Sequence, residues 1–95
     1  MAAYSLSQLA EEDVRRLYRH GIETFGLQQA DAYFDGLFER FEAIAENPAM
    51  YPRVDDIRAG YRRSVYGVHS IYYTVTESGV AIMRVLGREN PSALD

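Results

Sequence analysis

The chain has 95 residues, 47% of them hydrophobic and 25% charged, with a net charge of −4 and no cysteine. That length fits one domain spanning residues 1–95, which buries only about two-thirds of the surface its unfolded chain exposes; the missing cysteine excludes disulfides and thiolate zinc sites, and nothing points to an oxidising compartment. Four arginines face nine acids in residues 1–47, a poor general nucleic-acid surface because phosphate neutralisation needs clustered cations.

The N-terminus, Met1 to Leu9, lacks the basic and apolar regions of a signal peptide, and the longest apolar stretch near the end is broken by Arg84. A soluble cytoplasmic protein with no membrane contact is the expectation. Residues Ala3 to Leu6 alternate and read as an edge strand. Ser7 is a good helix N-cap, with Glu11, Glu12 and Asp13 in the early turns where the helix dipole favours negative charge. Ala10, Val14, Leu17, Tyr18, Gly21, Ile22 and Phe25 then recur at three- and four-residue steps, an amphipathic helix that Gly26 ends as a left-handed residue. A second helix starts close to Leu27, because Ala30, Tyr33, Phe34, Leu37, Phe38, Phe41, Ile44 and Ala45 keep the same spacing. Asn47-Pro48 stops it, and the short connection demands an antiparallel hairpin.

Residues 48–60, which hold Pro48, Pro52, Asp55, Asp56 and Gly60, read as a loop crossing the domain. The remainder is β: Tyr61 to Tyr66, His69 to Val75 and Val80 to Leu86 form an antiparallel meander, with short turns at Gly67-Val68 and Glu77-Ser78-Gly79. The fold class is therefore α+β, a helical hairpin on a three- to four-stranded antiparallel sheet with an N-terminal edge strand. Alternation places Ala81, Met83 and Val85, with Ile71, Tyr73 and Val75, against the helices. Ser70, Tyr72, Thr74, Ile82, Arg84 and Leu86 are left on an outer face that is partly apolar and wants a cover.

No phosphate-binding loop, GxSxG or HExxH occurs, and there is no cysteine nucleophile. His20 reads as a solvated helix residue and His69 as part of a hairpin. Asp55-Asp56 offers too few ligands for a hard cation, so neither metal nor cofactor is expected. Tyr18 and Tyr33 lie on apolar stripes as core residues, whereas Tyr61, Tyr66, Tyr72 and Tyr73 remain ambiguous between packing and contact. All ten basic residues are arginine, which fits genomic drift or a use for planar guanidinium forks.

Tyr4-Ser5-Leu6-Ser7, Glu23-Thr24-Phe25-Gly26, Ala45-Glu46-Asn47-Pro48 and Asp56-Ile57-Arg58-Ala59-Gly60-Tyr61-Arg62-Arg63 together resemble the ParE toxins of bacterial toxin–antitoxin modules. Tyr66-Gly67-Val68-His69-Ser70-Ile71-Tyr72-Tyr73 and Ile82-Met83-Arg84-Val85-Leu86 continue the match. The resemblance implies the RelE/ParE fold. It also implies a ParD-like antitoxin that folds on an apolar groove of the toxin, DNA contact only through that antitoxin, and DNA gyrase as target. RelE relatives instead cleave messenger RNA in the ribosome, an alternative the shared fold leaves open. Ser64 and Ser70 stand where the resemblance implies basic residues in the ribonucleases, no tyrosine follows Tyr73, and no catalytic residue is assigned. Gly87 replaces a histidine common in ParE toxins. Arg62, Tyr72, Ile82, Arg84, Leu86 and Arg88 are the expected antitoxin or target contacts, with a structural ion pair the competing role for Arg84 and Arg88.

Overall fold

A computed structural model describes residues 3–87. Strand β1 (Tyr4–Leu6) leads into helix α1 (Gln8–Phe25) and helix α2 (Leu27–Glu46). A single 3-10 turn at Pro48–Met50 and an irregular segment follow, then strands β2 (Arg62–Tyr66), β3 (His69–Thr76) and β4 (Gly79–Gly87). The sheet order is β1-β4-β3-β2. The meander is antiparallel as expected, but β1 joins it parallel to β4, with Tyr4 opposite Val80 and Leu6 opposite Ile82, so the sheet is mixed.

Ser7 ends the strand and begins the helix. Its N–H donates to Ile82 O at 2.9 Å, continuing the ladder, while its hydroxyl donates to Met83 O at 2.8 Å and accepts the Ala10 N–H at 3.0 Å. One side chain thus caps α1 and satisfies a carbonyl of β4. Gly26 joins the helices without a loop. Its φ of 92° is positive as expected, but its ψ of 160° lies in a region open essentially to glycine alone, not in the left-handed helical well. It terminates α1 through its N–H to Ile22 O and starts α2 through its carbonyl to Ala30 N, so the hairpin turns on one residue.

Phe34, Leu37, Phe41 and Ile44 of α2, with Ala10 and Val14 of α1, bury against Ile71, Tyr73, Val80, Ile82 and Val85 of the sheet. Strict alternation misplaces part of this set. Tyr72 lies opposite Arg84 and Tyr73 opposite Ile82, so Met83 is an extra residue, a bulge that reverses the facing of everything before it. Val80 and Ile82 therefore face the helices together with Val85, and Ile82 belongs to the core rather than to the outer face. Val75, expected inside, is 57% exposed, because β2 begins opposite Tyr73 and beyond that point only β4 flanks the strand.

The outer face carries its own cover. Residues 51–61 fold over it as a strap, and Val54, Ile57 and Tyr61 pack on Tyr72 and Leu86 as a second, smaller core. The strap turns through Ile57 and Arg58 N–H groups donating to Val54 O, and Val54 N–H donates to Tyr61 O at 2.8 Å. Asp55 fastens its rim, accepting from Gly60 N at 2.8 Å and pairing with Arg53 at 2.7 Å; these bonds hold its carboxyl below the usual range.

Candidate protein-interaction site

The residues expected to form a contact surface fall into separate environments. Ile82 is fully buried beneath the helices. Tyr72 and Leu86 are buried beneath the strap, and the Tyr72 hydroxyl is a buried polar group without a partner among the described residues. Arg62 sits on β2, at one side of the sheet, sharing a face with Tyr73, and its Nη1 donates to Tyr51 O at 2.6 Å. Arg84 sits on β4, across β3 from Arg62. Arg88 lies outside the described residues.

Arg84 is bound into the fold. Its Nε and Nη2 reach the two oxygens of Asp13 on α1 at 2.7 and 3.0 Å, a bidentate pair, and that partner raises the Arg84 pKa. Asp13 is 3% exposed and also accepts Val85 N–H at 3.0 Å and Arg16 Nη2 at 3.2 Å. Beyond Leu6, β4 has no neighbouring strand on its β1 side, so the backbone groups facing that way need other partners. Ser7 takes Met83 O, and Asp13 takes Val85 N–H. Asp13 had been legible only as a dipole-favoured acid in an early helical turn; its position three residues after Ala10 puts it on the same buried stripe.

Arg40 holds the opposite margin of the sheet. From α2, its Nη1 donates to the buried Ser64 hydroxyl at 2.9 Å and to Val65 O at 2.8 Å, and its guanidinium lies 5.4 Å from the Tyr66 ring and 5.9 Å from that of Tyr51. Ser64 is thus occupied by a structural arginine from another element. Farther along β2, Arg63 N–H donates to Pro52 O, so the strap occupies much of this edge. Tyr73 donates to Pro48 O at 2.5 Å, and burial pushes its pKa up to about 12 against the opposing charge of Arg62.

Two tyrosines fasten α2 to the β2–β3 hairpin reciprocally. Tyr33 Oη donates to Tyr66 O at 3.0 Å, and Tyr66 Oη donates to Tyr33 O at 2.9 Å. Gly36 makes room, since a Cβ there would overlap the Tyr66 hydroxyl. His69 joins through Nδ1, 2.8 Å from Tyr33 Oη, a structural place in the hairpin. Burial, then the charge of Arg16, lowers its pKa.

Beside this cluster a hollow of ≈ 410 Å³ opens between the joint of the helices and the hairpin tip, walled mainly by Leu17, Phe25, Ala30, Phe34 and Val68. A shallower groove of ≈ 260 Å³ runs between the helices, with Val14, Tyr18 and Phe38 as its floor and Arg15, Asp31 and Asp35 on its rims. Both concavities are apolar with polar margins, which suits protein side chains better than a phosphate. Among the described residues no helix is long and apolar enough to cross a membrane.

The family model for the ParE toxin of the type II toxin–antitoxin system parDE matches residues 4–91. A Toxin ParE1 of Caulobacter vibrioides is 37% identical over 86 residues, covering 90% of this chain and 88% of that protein. A Toxin ParE1 of Mycobacterium tuberculosis is 32% identical over 84 residues, covering 87% and 86%. A solved structure described as the chromosomal ParDE TA system from P. aeruginosa superposes with a TM-score of 0.81 at 16% identity, covering 94% of this chain and 98% of that one, and so shares the fold. A match along nearly the whole chain, with the same two helices on the same sheet, makes this chain a member of the ParE toxin family of type II toxin–antitoxin systems.

Proposed function

We propose that this chain acts in the cytoplasm as a toxin that inhibits DNA gyrase by protein–protein contact, without catalysis, and is neutralised by a tightly bound ParD-like antitoxin. The observation that carries the reading is the disposition of charge on the sheet. Cleaving a phosphodiester needs cations and proton-transfer groups converging on one phosphate. Arg62 and Arg84 stand on opposite sides of β3, the latter tied to Asp13, while Ser64 and Ser70 are buried serines.

The antitoxin's seat in this reading is the helical hairpin, where the inter-helix groove offers an apolar floor with acidic and basic rims to an amphipathic segment that folds on binding. Arg62, half-buried on β2, and Arg88 remain the contact candidates for target or antitoxin. Tyr72, Ile82, Arg84 and Leu86 contribute by holding the strap and the sheet in shape. DNA enters only through the antitoxin.

Purified chain incubated with gyrase and supercoiled substrate is expected to block supercoiling and trap a cleavage complex. Unchanged gyrase activity, together with codon-linked mRNA cleavage on induction, would replace this reading with the ribosomal nuclease.

A further inference from the structure

The hollow beside the hairpin contains one polar atom whose state follows from hydrogen-bond accounting. The Tyr33 hydroxyl has one hydrogen and two lone pairs. Tyr66 O, at 3.0 Å, can only accept, so it takes the hydrogen. Val68 N–H, at 3.3 Å, fills one lone pair. His69 Nδ1, at 2.8 Å, therefore donates into the other. A neutral imidazole carries a single ring proton, so Nε2 is left as a bare acceptor. No described residue donates to it, and His69 lines the hollow, so Nε2 is the acceptor the imidazole offers to a guest there.

The surroundings define that guest. The walls are mainly apolar, with Gln29 and His20 also in the lining and one acceptor fixed in place by its neighbours, which matches a flat apolar ring carrying one donor. Arg16 of α1 projects positive charge onto the imidazole and disfavours a cation there, while an anion would meet the Nε2 lone pair. A neutral N–H or O–H fits both conditions. The other titratable groups around His69 are His20 of α1, which lines the same hollow, Tyr33 of α2 and Tyr66 of β2. Phe25 and Val68, 61% and 67% exposed, carry the apolar surface outward past the hollow, an area that a protein covers and a lone small molecule does not.

We propose that this hollow receives an indole or phenol ring carried by a partner protein, with His69 Nε2 accepting the ring's hydrogen. This rests on reading the chain as a protein-binding toxin and adds the chemistry of one anchor.

The test uses the full chain and N-acetyl-tryptophanamide, whose indole fluorescence is read by excitation at wavelengths the chain's tyrosines do not absorb, the chain having no tryptophan. Imidazole nitrogen NMR is expected to show His69 protonated on Nδ1, with Nε2 shifting as the probe is added. The 1-methyl derivative, which lacks the donor, is expected to bind roughly 3- to 10-fold more weakly, the value of one neutral hydrogen bond. Acidification that protonates Nε2 is expected to cause the same loss. His69→Asn, which keeps a side-chain N–H toward Tyr33 but has no second ring nitrogen, is expected to abolish the difference between the two probes. A proton on Nε2, equal binding of both probes to the unmodified chain, or no binding at millimolar probe overturns the proposal. The probe comparison on the unmodified chain decides even if the variant unfolds. Failure here leaves the gyrase reading standing, since that assay involves neither probe.

Discussion

Replacing Asp13 by alanine removes the carboxylate that joins α1 to β4 and leaves three donors without it: the Arg84 fork, Val85 N–H and Arg16. Breaking a buried ion pair from one side costs about 3–5 kcal/mol, because the surviving charge is stranded. The Arg84 side chain is 19% exposed and keeps some water, which favours the lower end; the orphaned Val85 N–H adds about 1–3 kcal/mol. A loss of about 4 kcal/mol follows, a large part of the ~5–15 kcal/mol that holds a domain together. Urea unfolding followed by circular dichroism measures it, and a melt should fall by roughly 16–32 °C at ~4–8 °C per kcal/mol. Asp13→Leu combined with Arg84→Met removes both charges and should recover most of the loss, since an apolar pair in place of a buried ion pair is often neutral. A single Asp13→Ala variant within about 0.5 kcal/mol of the parent, the range of an ordinary surface change, refutes the assignment.

Other consequences are open to simpler measurements. Gly36→Ala forces Tyr66 to move and breaks the reciprocal tyrosine bonds, an overpacking cost of about 1–3 kcal/mol; an unshifted melting temperature counts against the arrangement. His69 has a depressed pKa in the folded chain, so the unfolded chain binds more protons as pH drops below about 6.5; stability should fall in that window, with a shallower slope in His69→Asn. Tyr73 has its pKa raised to about 12, so its contribution is intact below pH 10 and is lost between about 10 and 12, on the order of 2 kcal/mol. Tyr73→Phe should flatten that alkaline limb, and an identical limb in the variant would exclude Tyr73 as its source.

The sequence showed its periodic parts plainly. The stripe from Ala30 to Ala45 marks a helix and its buried face, Asn47-Pro48 marks that helix's end, and Ser7 marks the start of the helix before it. Face assignment in β4 failed where one inserted residue, Met83, broke the two-residue period on which such reasoning depends. The strap was legible as a loop but not as a cover, because Val54 and Ile57 have no local pattern linking them to Tyr72 and Leu86. The roles of Asp13 and Arg40 were hidden for a related reason. Each is an ordinary charged residue on a helix until the sheet brings Val85, 72 positions away, or Ser64, 24 away, within reach. The contact set drawn from the outer face mixed surface with interior for the same cause, since parity alone put Ile82 outside.

The margins of the sheet carry an evolutionary consequence. β1 offers three residues, Ser7 and Asp13 occupy the open stretch of β4, and the strap with Arg40 occupies most of β2. A visiting chain finds little backbone to zip onto, so recognition falls to side chains. Pairing of such a protein with its partner can then be rewritten one substitution at a time, each copy of the module drifting toward its own private match while the scaffold stays unchanged.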